Sequence, residues 1–142
     1  MAKIVELRGM SSDKIEELLE NAREEMFNLR FRNASAQLDD YSRLKFVRRE
    51  IAQFETVLHM RRLAEESAAS QPEIAAVLAN KNWQANTTFS YEESAWIVAF
   101  IDSDGTDLAT ANVNLNVKTA RGKKARLNTR RPNLVKSFEI AG

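Results

Sequence analysis

Apolar residues recur every three or four positions through the first half of the chain, which is the spacing of a helix with one buried face. The first series consists of Ile15, Leu18, Ala22, Met26 and Leu29, and Leu19 widens its stripe. The second series consists of Leu44, Val47, Ile51, Phe54 and Leu58. Each series therefore predicts a helix that buries one face and exposes the other.

Helix start and stop signals surround the two series. A short helical segment, Lys3 to Arg8, ends at Gly9, and Ser11 or Ser12 offers an N-cap to the next helix. Residues 33–40 are small and polar enough to turn the chain, and Asp39 or Asp40 can cap the second long helix. Two apolar stripes joined by so short a turn predict an antiparallel helical hairpin.

The second half of the chain follows a different pattern. Pro72 suits the first turn of a brief helix that ends near Asn80. Residues 95–101 are continuously apolar, residues 109–117 alternate, and the turn residues 102–107 lie between them. This arrangement predicts a β-hairpin, which needs support from Phe89, Tyr91, the brief helix or a partner because two strands alone are marginally stable.

These patterns predict a mainly α fold with a C-terminal extension. We expect three segments: a helical-hairpin domain at residues 1–66, a module with a linker, a short helix and a small β-hairpin at residues 67–117, and an irregular basic tail at residues 118–142.

The net charge of +1 hides a strong separation of charge. Residues 1–66 carry 12 basic and 13 acidic groups, residues 67–117 carry 1 and 6, and residues 118–142 carry 8 and 1. Such a tail is either a solvated arm or a segment that binds a polyanion such as nucleic acid. Its candidate binding residues are Lys118, Arg121, Lys123, Lys124, Arg126, Arg130 and Arg131.

A second group of cations surrounds the turn of the predicted hairpin. Lys45, Arg48 and Arg49 share one face of the second helix, beside the buried stripe, and Arg30 and Arg32 lie near the same end of its partner. Permanent cations placed this way are typical of a helical surface that binds phosphates. The alternative is a solvated helix surface with ion pairs between neighbouring residues.

The sequence offers little for catalysis or for a cofactor. It has no cysteine, and its single histidine, His59, lies near the end of a predicted helix, as a surface histidine does. Asp102, Asp104 and Asp107 lack the glutamate of a calcium loop. No signal peptide or membrane span is apparent. We therefore expect a cytoplasmic protein that is not an enzyme and has no cofactor, metal or small-molecule substrate.

Several motifs in fixed order resemble one family. They are Glu6-Leu7-Arg8, Phe27-Asn28-Leu29-Arg30, Ala34-Ser35-Ala36-Gln37-Leu38, and Leu44-Lys45 followed by Val47-Arg48-Arg49-Glu50-Ile51-Ala52. Over residues 1–66 the chain resembles the bacterial type of the universal large-subunit ribosomal protein twenty-nine, a helical hairpin beside the polypeptide exit tunnel. The chain departs from that family at Gln53 and Glu55, where another basic residue is usual, and at Ala36, which replaces the turn glycine.

The resemblance implies a structural constituent of the large ribosomal subunit that binds rRNA. It implies as partners rRNA, the neighbouring ribosomal protein twenty-three, and targeting factors and chaperones at the tunnel exit. The residues it places in contact with rRNA are Arg8, Asn28, Arg30, Gln37, Lys45, Arg48 and Arg49. The alternative is a free helical-hairpin adaptor for other proteins that carries a nucleic-acid-binding tail.

The resemblance does not extend to residues 71–142. For these residues we expect an accessory module on the ribosome surface whose basic tail reaches along rRNA. The aromatic residues of this module could stack on bases, but packing in its core or against another protein is favoured. These residues are Trp83, Phe89, Tyr91 and Trp96. A small β-domain that acts as an enzyme or ligand binder is the least favoured reading.

Overall fold

The computed structural model describes residues 3–117 and 133–141. In these ranges the helices are α1 (Ile4–Gly9), α2 (Ser12–Ala34), α3 (Ser42–Ala69) and α4 (Pro72–Leu78). The strands are β1 (Trp83–Ser90), β2 (Ala95–Asp102), β3 (Asp107–Val113) and β4 (Val135–Ile140). The chain forms two compact units, Met1–Met60 and Arg61–Gly142, with the boundary inside α3. The predicted helices followed by a β-containing extension are confirmed.

In the first unit, α2 and α3 form the predicted hairpin. The buried side chains of α2 are Ile15, Leu19, Ala22, Met26 and Leu29. They follow the predicted periodicity except that Leu18 is half-buried and Leu19 is buried. On α3, Val47 and Phe54 are buried as predicted, whereas the other members of the predicted series are half-buried and Val57 is fully buried. The half-buried members are Leu44, Ile51 and Leu58. The apolar stripe of α3 is therefore real but lies slightly to one side of the predicted series.

Side chains cap the N-termini of both long helices. Ser11 is the N-cap of α2, and its Oγ accepts a hydrogen bond from the Lys14 N–H at 3.4 Å. Asp40 Oδ1 accepts a hydrogen bond from the Ser42 N–H at 2.9 Å, at the start of α3. Hydrogen bonds from the Ser42 hydroxyl and N–H hold the pKa of Asp40 below its usual range. The cap signals of the sequence are thus confirmed.

The turn after α2 places an alanine in a conformation that favours glycine. The Gln37 N–H donates to the Arg32 carbonyl at 2.9 Å, and the Ala36 N–H donates to the Asn33 carbonyl at 3.2 Å. These two bonds form a Schellman motif, whose central residue must adopt a left-handed conformation. That residue is Ala36, with φ 55°. The turn conformation is therefore the one that a glycine would adopt with less strain.

The second unit contains a four-stranded antiparallel sheet in the order β1-β2-β3-β4. The predicted hairpin corresponds to β2 and β3, and its turn contains Gly105 at φ 81°. The sequence interpretation missed β1 and β4, which flank this hairpin. Irregular structure was expected through residue 142, but residues 135–140 form β4 and pair with β3.

One face of the sheet forms the core of the second unit. Trp96, Val98 and Phe100 alternate along β2 and are buried, and they pair with Val113, Ala111 and Ala109 of β3. The Thr87 hydroxyl of β1 donates to Glu65 Oε1 in the last part of α3 at 2.6 Å. Helix α4 contacts β3 and buries Ile74 and Leu78. The hairpin thus has the support that two strands alone would lack.

An extra residue in β4 explains why this strand was not recognised. Val135 pairs with Val113, but the next pair joins Ser137 to Asn112, which leaves Lys136 as a bulge. The bulge directs Val135 and Phe138 to the same face although they are three residues apart. Alternation of apolar and polar residues with a period of two indicates a strand, and the sequence of β4 therefore lacks this alternation.

Candidate RNA interface

Lys45, Arg48 and Arg49 form an exposed basic surface on α3. Val47 between them points into the core with no exposed surface, so its helical neighbours one and two positions away are turned outward. Lys45 and Arg49 lie one turn apart, and Arg48 lies between them on the same side. The three side chains are exposed, as the sequence predicts.

The last turns of α2 contribute the remaining residues of the hairpin group. Asn28, Arg30 and Arg32 are all exposed there. Arg32 lies in the last turn, where the helix dipole favours a positive charge. Gln37 is exposed and follows the helix, and its backbone N–H belongs to the Schellman motif. Its side chain is therefore presented on a well-defined turn.

Ion pairs separate the cations of the first unit into two groups. Lys14 pairs with Glu17 at 2.7 Å, Arg23 with Glu20 and Glu55 at 2.8 and 3.0 Å, and Arg43 with Glu25 at 2.5 Å. No residue described by the structure forms an ion pair with any of the five cations predicted around the turn, which are Arg30, Arg32, Lys45, Arg48 and Arg49. The positive charge of these five is available to an external anion.

Arg8 differs from these five cations. It lies in the last turn of α1, it is half-buried, and its Nε is shielded from solvent. An arginine in this setting has a role in the packing of α1 in addition to any contact with an external partner.

The cations of the predicted tail, Lys118 to Arg131, lie outside the described residues. The residues on either side of this segment are described: the Asn114 N–H donates to the Leu134 carbonyl at 2.8 Å, directly beyond the last pair of β3 and β4. The described residues that precede and follow this segment, Asn114 and Leu134, are therefore bonded to each other next to β3 and β4.

Two exposed phenylalanines lie among the cations of the last turns of α2. Phe27 and Phe31 lie one turn apart on α2, and 69% and 65% of their respective surfaces are exposed. Phe46 is half-buried, and the Arg43 guanidinium lies 4.9 Å from its ring centroid. Large exposed apolar side chains at this spacing are typical of a contact surface.

Features of other kinds of site are few in the described ranges. His59 is exposed on α3, as expected. Residues 3–117 and 133–141 contain no group of three or more histidine, aspartate or glutamate side chains placed to hold a metal ion. Among those same residues, no helix combines the length and apolar character needed to cross a membrane.

Comparison with known proteins identifies relatives of the helical hairpin. The family described as Ribosomal L29 protein matches residues 5–61. The large ribosomal subunit protein uL29 of Thermobifida fusca is 50% identical over 76 residues, which cover 49% of this chain and 89% of that protein. The uL29 proteins of Staphylococcus haemolyticus and Staphylococcus aureus are 42% and 41% identical over 69 residues, covering 49% of this chain and 99% of theirs. The chain therefore belongs to the ribosomal protein L29 family.

Proposed function

We propose that this protein is a structural constituent of the large ribosomal subunit and binds rRNA near the polypeptide exit tunnel. Membership of the ribosomal protein L29 family supports this role. The single structural observation that carries it is the group of five exposed hairpin cations that lack an ion-pair partner among the described residues. The proposed location is the cytoplasmic ribosome, and the role is structural rather than catalytic.

The proposed binding mechanism is neutralisation of phosphate. Each cation that contacts a phosphate releases condensed counterions, so the binding free energy is largely entropic and weakens as salt rises. Arginine adds directional hydrogen bonds to phosphate oxygens, which fix the orientation of the hairpin. Double-helical RNA exposes its shape and backbone more than its base edges, so a rigid helical surface suits it.

The individual contact residues are part of the proposal. On the hairpin, the exposed members contact rRNA directly; they are Asn28, Arg30, Arg32, Gln37, Lys45, Arg48 and Arg49. Arg8 contributes with the exposed part of its half-buried side chain. In the extension, the contacts come from Lys118, Arg121, Lys123, Lys124, Arg126, Arg130 and Arg131, because seven cations without an acidic residue strongly attract a polyanion.

Protein partners are proposed as well. Other ribosomal proteins are expected neighbours of any member of this family, and we propose ribosomal protein twenty-three in particular, with targeting factors and chaperones as transient partners. The exposed rings of Phe27 and Phe31 support a protein contact, because aromatic side chains dominate such interfaces. The same two rings favour the second candidate function, a free helical-hairpin adaptor.

We further propose a division of labour along the chain. Residues 1–66 dock on the ribosome, residues 67–117 form an accessory module, and residues 118–142 add a basic segment. Support comes from relatives that align over 69 residues and are covered to 99%, because proteins of that length contain the hairpin without a comparable extension.

A test of the proposed function combines Arg48→Glu with Arg49→Glu. The matched control combines Arg62→Glu with Lys81→Glu, which changes the net charge equally at two exposed positions of the second unit. Each tagged protein competes with the wild-type protein for incorporation into large subunits, and the two forms are quantified by mass spectrometry of purified particles. We expect a strong loss for the hairpin variant and near-normal incorporation of the control.

Two outcomes would contradict the proposal. Equal incorporation of the hairpin variant and the control would show that this face does not dock on RNA. Absence of the wild-type protein from purified large subunits would favour the adaptor function instead.

A further inference from the structure

Strand β1 is an outer strand of the sheet in the second unit. It pairs with β2 on one side, and no strand in the described part of the chain pairs with its other side. Apart from β2, no backbone group within residues 3–117 and 133–141 hydrogen-bonds to the backbone of residues 83–88. Half of the N–H and C=O groups of an outer strand point away from its neighbour. Residues 83–88 therefore present these groups to a further strand.

The two outer strands of the sheet differ in the features that prevent pairing with another chain. Strand β4 is six residues long, contains the charged residues Lys136 and Glu139, and is interrupted by the bulge at Lys136. Strand β1 is eight residues long, contains neither a charged residue nor proline, and pairs with β2 without a bulge. Charges, bulges and short length keep outer strands from joining other chains. β1 has none of these features, so it is the strand at which another chain can add.

Side-chain contacts hold β1 in place. The Thr87 hydroxyl donates to Glu65 Oε1 at 2.6 Å, and Thr87 is 7% exposed. The ring of Trp83 meets that of Phe100 edge to face, with centroids 5.3 Å apart. A strand that is fixed before binding loses little conformational entropy when a partner pairs with it.

The end of β1 at Trp83 combines an exposed aromatic ring with negative charge. Trp83 is 41% exposed and pairs directly with Asp102 of β2, so the two side chains lie on the same face. Asp104 follows in the next turn, and Asp107 begins β3. None of these three carboxylates forms an ion pair with a described residue, and Lys81, two residues before Trp83, can offset only one charge. An aromatic ring beside carboxylates suits an arginine or lysine side chain.

We propose that β1 binds an extended segment of another protein, which adds a fifth strand to the four-stranded sheet and places a basic side chain on the Trp83 ring. Backbone hydrogen bonds of the added strand supply affinity, and the contact with Trp83 and Asp102 supplies specificity. Docking at β1 does not depend on RNA binding by the hairpin, because the basic surface of the hairpin belongs to the other unit.

The acidic residues disfavour other occupants of this edge. Antiparallel pairing of β1 with β1 of a second copy would bring Asp102 and Asp104 of one copy beside Glu92 and Glu93 of the other, because these acidic residues lie at opposite ends of the strand. Like charges placed opposite one another destabilise a sheet. The phosphates of an RNA strand would meet the same carboxylates, and RNA has no peptide backbone to continue the ladder.

The test uses synthetic peptides that can pair through one edge only. The probe has about eight alternating valine and threonine residues, the length of β1, with an arginine at each end. Alternate backbone nitrogens of the probe are methylated so that it does not aggregate, and every backbone nitrogen of the control peptide is methylated. Binding of each fluorescent peptide to the full-length protein is measured by anisotropy. We expect the probe to bind at least about tenfold more tightly than the control, and equal binding would overturn the proposal.

Hydrogen exchange locates the bound probe. The amides of residues 83–88 should exchange more slowly in its presence, and those of β4, the other outer strand, should not change. Slower exchange in β4, or no change in β1, would overturn the proposal. Protection of residues 83–88 by an oligouridylate would identify RNA as the occupant and would overturn it as well. A dimer of the protein alone that the probe dissociates would do the same for a second copy.

Trp83→Leu tests the contact with the basic side chain. A second probe carries citrulline, an uncharged counterpart of arginine, at both ends. The variant should reduce the preference for the arginine probe over the citrulline probe about fivefold, because it removes the ring but keeps an apolar contact with Phe100. Trp83→Phe retains a ring and should keep most of the preference.

Tyr91→Leu is the matched control, because Tyr91 is another exposed aromatic residue of the same unit. It should leave the preference for arginine unchanged. Since the preference is a ratio of two affinities for one protein, a folding defect of a variant does not alter it. An undiminished preference in Trp83→Leu would overturn the proposal.

Discussion

Arg43 at the start of α3 binds both carboxylate oxygens of Glu25 on α2, with Nε–Oε1 at 2.5 Å and Nη2–Oε2 at 2.9 Å. This bidentate pair joins the two helices of the hairpin near their connecting turn. It also removes Arg43 from the cations available to RNA, although Arg43 lies only two residues before Lys45.

The pair should make the stability of the hairpin depend on acid. Hydrogen bonds from Arg43 lower the pKa of Glu25, so the carboxylate stabilises the folded state above its unfolded pKa, and this contribution is lost as pH falls below about 4. Both side chains are more than one third exposed, so we expect less than about 1 kcal/mol. Urea unfolding at neutral and acidic pH measures this contribution to the free energy of unfolding.

Glu25→Gln should reduce stability at neutral pH and flatten its acid dependence. Glu24→Gln is the matched control, because Glu24 is exposed and forms no ion pair with a described residue. Equal acid dependence in the two variants would show that the pair contributes nothing.

Ala36→Gly should stabilise the protein. Alanine at φ 55° carries the strain of a left-handed conformation, which glycine relieves by about 1 kcal/mol. Ala34→Gly, two residues earlier in the last turn of α2, should instead destabilise by up to about 1 kcal/mol. The urea midpoint of each variant is compared with that of the wild type, provided that the dependence of the unfolding free energy on urea is unchanged. A lower midpoint for Ala36→Gly would be inconsistent with the Schellman motif.

Phe100→Ala should severely destabilise the sheet. Phe100 has no exposed surface and meets Trp83 edge to face at 5.3 Å, so truncation removes about 3–5 kcal/mol. Phe31→Ala makes the same change at a side chain that is 65% exposed, where the effect should stay within about 0.5 kcal/mol. Hydrogen exchange in β2 and β3 reports the loss; similar protection in both variants would contradict the core position of Phe100.

Truncation after Ser70 tests the proposed division of the chain. The cut follows the end of α3 and retains all of the hairpin, so we expect the shortened protein to enter large subunits. Its affinity for them should depend less on salt than that of the full chain, since the basic segment is removed. Loss of incorporation would assign docking energy to the extension.

The helical half of the fold could be predicted because its signal is local. Residues close together in the sequence determine the periodicity of α2 and α3 and the turn near Ala36. The same is true of the caps, Ser11 and Asp40. The sheet was only half predicted. In β1, Ala85 and Thr87 occupy inward positions and give a weak apolar pattern, and the bulge interrupts the alternation of β4.

The candidate site shows a similar limit. Its residues could be predicted as a basic cluster, but the sequence does not separate Arg43, which is paired, from Lys45, which is not. Their difference depends on Glu25, eighteen residues away along the chain and adjacent only after the hairpin forms.

Lys136 of β4 has no pairing partner in β3, so this strand could lose one residue without a change in its pairing register. Excision of Lys136 would join Val135 directly to Ser137, and the ladder opposite β3 would then run one residue to one, with Phe138 still directed to its present side. The same excision in a regular strand such as the middle of β2 would turn every subsequent side chain over. Deletion of one residue from a regular strand would direct its core side chains to solvent. Deletion of Lys136 should be tolerated, because the core side chains of β4 keep their direction.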